Sequence, residues 1–305
     1  MLRAQQLPAG LIGLVQGAGN EVGAQLIRHP AIAAGAFTGS TRGGAALQAQ
    51  ANARPRPIPF YGELGSINPV VALPSVLEAR GSELATTLAN SITQGCGQFC
   101  TNPGLIVLID GPATDAFLPQ LAAALAAQQP HGMLSAGLRS AFDQGVEQQL
   151  AAGAQPLVHE AGHAAAPRPF LAQIDAATFS ARSELHEEVF GPSSLVVRAD
   201  SVAQVLAVLQ AVGGSLTVTL WGAEEDSADN RALVRGAMAI AGRVLFSGVP
   251  TGVAVSAGQQ HGGPWPASTQ PLSTSVGDAA LDRFLRPVCL QDAPAWLLAR
   301  QGQPV

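Results

Sequence analysis

The sequence predicts an α/β fold built on a largely parallel sheet. Two observations carry this. Short apolar runs alternate with segments of helical period along most of the chain, and 47% of the residues are hydrophobic against 12% charged. Alternating strands and helices imply right-handed crossovers between parallel strands. So few charges describe a well-buried globular chain rather than a disordered one. At 305 residues the chain exceeds one usual hydrophobic core, so two lobes are expected.

The elements follow in order. Residues 11–15 form an apolar run expected as a strand. Gly17-Ala18-Gly19 breaks it, and Asn20 is placed to cap a helix through Val22, Leu26 and Ile27. Residues 32–37 read as the next strand. Thr38-Gly39-Ser40-Thr41 opens a second helix reaching Ala53, and residues 57–60 begin a third strand. A second pattern starts with a strand at 70–73. Leu84, Leu88 and Ile92 lie at helical spacing on a helix ending near Gly95 or Gly97, and a strand at 105–109 follows. Later helices are expected over 117–127, 136–151, 202–212 and 230–241, with strands at 194–197, 216–220 and 243–246. Residues 251–275, rich in Gly, Pro, Ser and Thr, read as a long loop before a final helix over 279–285.

All 16 basic residues are arginine and the net charge is -5, without a basic stripe. Nucleic-acid binding is therefore not expected. The three cysteines, Cys96, Cys100 and Cys289, make a poor disulfide framework. With no signal-peptide pattern in the first residues, a cytoplasmic location is expected. The apolar stretches are too short to span a bilayer, so no membrane association is expected.

Two local sequences could carry chemistry. In Gly97-Gln98-Phe99-Cys100-Thr101-Asn102-Pro103-Gly104, glycines on both sides of a thiol allow close backbone approach to a ligand, at the edge of a sheet. Read alone, Cys100 is more often a small buried hydrophobe. In Phe60-Tyr61-Gly62-Glu63-Leu64-Gly65-Ser66-Ile67-Asn68-Pro69 a carboxylate follows an apolar strand; alone it reads as a solvated turn. A third pattern, His159-Glu160-Ala161-Gly162-His163, is a literal H-E-x-x-H. Zinc binding there would need both histidines on one face of a sustained helix, and Pro156, Gly162, Pro167 and Pro169 argue against one. No metal is expected.

Together the motifs resemble the aldehyde dehydrogenase superfamily. Glu63 to Pro69 is similar to its E-L-G-G-x-x-P run, and Gly97-Gln98-Phe99-Cys100 to its G-Q-x-C run. Phe37-Thr38-Gly39-Ser40 with Gly44 resembles its F-T-G-S cofactor turn, and Glu187-Glu188-Val189-Phe190-Gly191-Pro192 its E-E-x-F-G-P motif. Within the superfamily, Gly62 to Pro69, Gln98 to Gly104, Pro250-Thr251-Gly252-Val253 and His261-Gly262-Gly263-Pro264 look most like the α-ketoglutaric semialdehyde (2,5-dioxovalerate) dehydrogenases.

The resemblance implies an aldehyde dehydrogenase-like fold: a partial Rossmann-type cofactor domain plus an α/β catalytic domain. It implies the later part of a nucleotide-binding domain over 1–65, a catalytic domain over 66–250, and a C-terminal loop and helix over 251–305. It implies Cys100 as nucleophile, Glu63 as general base, and the Cys100 backbone N–H as an oxyanion donor. Gly39, Ser40, Gly44, Leu64, Glu188 and Phe190 would contact NAD or NADP, and the substrate would be a small aldehyde, specifically an aldehyde acid. Family members carry a long N-terminal portion before the point where this chain begins, with a further oxyanion asparagine and a lysine. A sheet cut there would expose an edge, so a homo-oligomer or self-association is expected. The rival readings are a catalytically impaired remnant of that enzyme and, more remotely, a zinc hydrolase using His159 and His163.

Overall fold

The computed structural model describes residues 8, 10–17, 19–129, 131–163 and 165–298. Its strands fall in two sheets. Helix α1 (Glu21–Arg28) precedes a parallel pair, β1 (Gly35–Thr38) and β2 (Phe60–Glu63), linked by α2 (Thr41–Asn52). Ser40 caps α2, accepting a hydrogen bond from the Gly43 N–H at 3.2 Å.

The larger sheet holds β3 (Val70–Ala72), β4 (Leu105–Ile109), β5 (Gln155–His159), β6 (Phe170–Asp175), β7 (Ser193–Ala199), β8 (Ser215–Trp221) and β9 (Ala241–Leu245). Their order is β5-β6-β7-β4-β3-β8-β9, and only the β5–β6 pairing is antiparallel. The connecting helices are α3 (Pro74–Thr93), α4 (Pro112–Ala126), α5 (Ala136–Ala151), α6 (Ala176–Ala181), α7 (Val202–Val212) and α8 (Ala228–Ile240).

Side chains alternate across a strand, and both faces here are apolar. Val70, Ala72, Ile106, Leu108 and Val196 point to one core, which α3 and α4 complete with Leu84, Leu88, Ile92, Phe117 and Leu121. Val71, Leu105, Val107, Leu195 and Val197 point to the other, filled by Phe142, Val205, Leu209 and Leu233. Each such side chain contributes about 1.5–3 kcal/mol when fully buried. The continuous apolar runs in the sequence are the signature of this two-sided burial.

Several local expectations are corrected. Residues 11–15 form no strand: they pair with nothing among the described residues, and Leu14 is 83% exposed. A strand without a neighbour leaves its backbone polar groups unbonded, whatever its side chains. Asn20 precedes α1 but makes no side-chain cap. β2 runs beyond Phe60 to Glu63 itself. β6 and α6 were not foreseen, and the segment at 278–284 is a 3₁₀ rather than an α-helix.

Candidate active site

The gap between the two sheets is where the motifs meet. Glu63 closes the carboxyl end of β2, the end of a parallel strand at which α/β proteins usually bind ligands. Cys100 lies at the opposite kind of edge, just before the amino end of β4. The site is thus made by setting the carboxyl edge of the small sheet against the amino edge of the large one.

Cys100 is placed by its flanks. Helix α3 ends in a 3₁₀ turn, Gln94–Gly97, where Gly95, Cys96 and Gly97 take positive φ values of 56°, 61° and 65°. That left-handed run ends the helix and turns the chain toward β4. Gly97 is obligatory twice over: a Cβ there would lie 2.1 Å from the Gly191 carbonyl oxygen. The Gly-Gln-x-Cys segment and the Phe-Gly-Pro segment therefore fit together through bare backbone.

Asn68 fixes the same loop from the other side. It is wholly buried with φ 48°. Its Nδ2 donates to the carbonyls of Ser66 (3.1 Å), Cys100 (3.0 Å) and Asn102 (2.9 Å), while Oδ1 accepts from the Ser66 and Thr217 hydroxyls. Asn102 in turn donates to the carbonyls of Gly191 and Ser193.

The residue the sequence reading left without a role is His261. It is 5% exposed, in the loop that follows β9, and stands between the two candidate residues. Its Nδ1 is 2.9 Å from Glu63 Oε2 and its Nε2 is 3.7 Å from Cys100 Sγ. The His261 N–H donates to Thr274 Oγ1, and the Ser275 hydroxyl donates to Glu63 Oε2. The loop is sewn to β2 by Leu64 N–H to the Ala267 carbonyl (2.8 Å) and Thr269 N–H to the Gly62 carbonyl (3.0 Å). The one sequence signal was that His261-Gly262-Gly263-Pro264 is among the runs that look like the α-ketoglutaric semialdehyde dehydrogenases.

The charges are coupled. Burial disfavours a charged His261 ring, but its hydrogen bonds to Cys100 and Glu63, with their charges, prevail and lift it to about 9. Burial works against the Glu63 carboxylate too, yet the bonds from His261 and Ser275 and the nearby charges of His261 and Arg283 hold it below its ordinary value. At neutral pH this is a carboxylate, an imidazolium and a sulfur in line. Cys96, by contrast, is buried, donates to the His131 carbonyl, and has its thiol pushed up by desolvation. Cys289 is exposed.

The second cluster lies around Gly65. A Cβ on that residue would come within 3.0 Å of Thr41 Oγ1, in the first turn of α2, and 3.1 Å of Glu188 Oε2. The bare glycine leaves a cradle between a helix N-terminus and a buried carboxyl. Desolvation raises Glu188 to about 8, although a backbone hydrogen bond from Ser66 pulls it down. Gly39 and Ser40 enter the same helix end, and the Gly39 N–H donates to the Glu63 carbonyl. Phe190 lines a small cavity with Glu188. Leu64 and Gly44 pack on each other: a Cβ on Gly44 would strike the Leu64 side chain at 2.1 Å.

The His159/His163 pattern does not form a metal-binding helix. His159 ends β5 and packs edge-on against Phe170, Glu160 pairs with Arg168 at 2.7 Å, and His163 is in a loop.

Fold and site define an α/β scaffold that holds a candidate thiol nucleophile between a two-stranded parallel sheet and a second, doubly covered sheet. Residues 1–263 match the aldehyde dehydrogenase family model. The chain is 45% identical over 302 residues to α-ketoglutaric semialdehyde dehydrogenase 2 of Azospirillum brasilense, covering 96% of this chain and 56% of that one. It is 41% identical over 312 residues to the α-ketoglutaric semialdehyde dehydrogenase of Acinetobacter baylyi, covering 98% and 58%. An NAD-dependent aldehyde dehydrogenase structure from Sinorhizobium meliloti shares the fold with a TM-score of 0.75 at 21% identity, covering 93% of this chain and 55% of that one. The chain therefore belongs to the aldehyde dehydrogenase family. It spans a little over half the length of the curated relatives it matches.

Proposed function

We propose that the chain carries the catalytic machinery of a dehydrogenase that oxidises an aldehyde acid to the corresponding diacid, with 2,5-dioxopentanoate, the α-ketoglutaric semialdehyde of its relatives' names, as substrate. The observation that carries this reading is the convergence of Cys100, His261 and Glu63 at the gap between the sheets.

In this mechanism the Cys100 sulfur attacks the aldehyde carbon, giving a thiohemiacetal. The His261 imidazolium faces the sulfur and supports negative charge there. The chemistry a bound nicotinamide would supply is hydride acceptance, by which the thiohemiacetal would become a thioester. Once the sulfur is acylated it no longer supports a charged ring, so His261 can lose its proton and take one from the attacking water. Glu63 holds Nδ1–H throughout, fixing the tautomer and orientation. This assigns Glu63 a base that works through the ring as well as directly.

The residues present fit the nicotinamide-side half of a dinucleotide. The N-terminus of the 12-residue α2, entered through Gly39 and Ser40, suits a pyrophosphate, and the cradle at Gly65 offers the Glu188 carboxyl to ribose hydroxyls. Phe190 packs beside it, and Leu64 on Gly44 shapes the wall. NAD or NADP is the cofactor in this reading. Residues 1–65 are the later part of a nucleotide-binding domain, 66–250 the catalytic domain, and 251–305 the C-terminal segment whose loop carries His261 and Ser275.

The test compares aldehyde-dependent nicotinamide reduction with hydrolysis of an activated ester, for the native chain and Cys100→Ala. Ester hydrolysis abolished by Cys100→Ala is expected. Hydrolysis indifferent to that change would remove Cys100 from the chemistry.

A further inference from the structure

We infer that Cys100, His261 and Glu63 also form a binding site for one thiophilic divalent cation, zinc in the first instance, which silences the nucleophile while it is bound. The binding rests on geometry alone; the silencing rests on the proposed role of Cys100. The expectation of no metal was argued at His159 and His163. Among the described residues, the ligating atoms that converge belong to this other group, where one atom from each of Glu63, Cys100 and His261 lies within 4.8 Å of the others.

The donors are of the kind zinc selects, a sulfur and an imidazole nitrogen, with a carboxylate behind the ring. Spacing agrees as well. With Zn–S at ~2.3 Å and Zn–N at ~2.0–2.1 Å, two ligands of a tetrahedral ion stand about 3.6 Å apart. Cys100 Sγ and His261 Nε2 are 3.7 Å apart. An ion between them takes the sulfur lone pair and replaces the ring proton on Nε2.

The other face of the ring is already arranged as a zinc histidine requires. Metal-bound imidazoles nearly always donate their second N–H to a carboxylate or carbonyl, which fixes the ring and raises its basicity. Here Nδ1 meets Glu63 Oε2 at 2.9 Å, and Ser275 holds the same oxygen. Two positive charges oppose the ion: Arg283, close enough to act on Glu63 and stacked on Tyr61 and Phe284, and the half-buried Arg243, close enough to act on Cys100. Both direct ligands are held: His261 by Thr274 and its own buried loop, Cys100 through its carbonyl by Asn68. The remaining coordination positions are left to water.

Equilibrium dialysis of the metal-free chain against zinc, with elemental analysis, reads the site directly. One zinc per chain is expected. Cys100→Ser and His261→Asn should each abolish it, and Glu63→Gln should weaken it ~10–100-fold, the usual effect of losing such an outer partner. His159→Ala and His163→Ala should leave it unchanged. Cobalt in place of zinc should give a near-ultraviolet thiolate charge-transfer band that Cys100→Ser removes. Zinc should also slow alkylation of Cys100. Zinc retained in Cys100→Ser or His261→Asn, or alkylation indifferent to zinc, would overturn the proposal. A chain with Cys100-dependent ester hydrolysis but no zinc uptake overturns the metal site and leaves the catalytic reading. Zinc uptake without such hydrolysis supports the site and removes the catalytic reading.

Discussion

Replacing Asn68 should damage stability and site together, by an amount that can be worked out from its bonds. In Asn68→Ala the carbonyls of Ser66 and Cys100 lose their donor, that of Asn102 keeps the Gly104 N–H, and the Ser66 and Thr217 hydroxyls lose an acceptor. Leaving a buried polar group unpaired costs about 1–3 kcal/mol, and at least two carbonyls are so left. Alanine at φ 48° adds ~1–2 kcal/mol of left-handed strain that asparagine tolerates better. The sum is about 3–8 kcal/mol, well above an ordinary substitution. Asn68→Gly keeps the hydrogen-bond loss but relieves the backbone, so it should recover ~1 kcal/mol or more of that strain. Urea denaturation of the three proteins measures both parts, and the rate of Cys100 alkylation reports whether the loop has moved. A loss under ~1 kcal/mol in Asn68→Ala, below even one orphaned carbonyl, with unchanged alkylation, would refute the argument.

Gly97→Ala should fail to fold or lose stability by more than the ~1–2 kcal/mol of left-handed backbone alone, because its Cβ meets the Gly191 carbonyl; soluble yield and melting temperature check it. Glu188 should make stability depend on pH. Its folded value of about 8 lies above the ordinary 4.5, so the folded chain keeps a proton the unfolded chain gives up. Stability from this group is whole below about 4.5, falls as pH rises toward 8 and levels off beyond, a span of at most about 5 kcal/mol. Urea midpoints at pH 5.5 and 8.5 should converge in Glu188→Gln relative to the native chain; an identical slope in both proteins would exclude Glu188 as its source. Limited alkylation at neutral pH should modify Cys100 ahead of Cys289 and leave Cys96 last, and peptide mapping that finds Cys289 first would count against the activated thiol.

The parallel sheet was legible because nearly every strand in it is buried on both faces, so apolar runs such as 105–109 stand out unbroken. β5 was illegible for the opposite reason. It is an edge strand with a mostly exposed pattern and carries Pro156, and the segment that follows looked like a zinc pattern. The run at 11–15 misled because side-chain character says nothing about whether a partner strand is present. Within the site, Glu63 and Cys100 were found because each sits in a compact run of motif residues. His261 lies 161 residues beyond Cys100 in a Gly- and Pro-rich loop with no periodicity, so only the fold brings it to the sulfur. Asn68 and Gly97 were quoted within motifs, but their work is backbone geometry, which a one-dimensional pattern does not display.

That separation has a consequence during synthesis. Ribosomes add roughly 5–20 residues per second, so the imidazole leaves the tunnel about 8–30 s after the sulfur does. For that interval the nascent chain bears an ordinary cysteine, with no ring beside it and no carboxylate behind the ring. In the proposed mechanism the chemistry is switched on only when the loop after β9 folds back across Glu63. A nascent chain, crowded by cellular thiols and electrophiles, is thus spared a reactive centre until that loop has emerged.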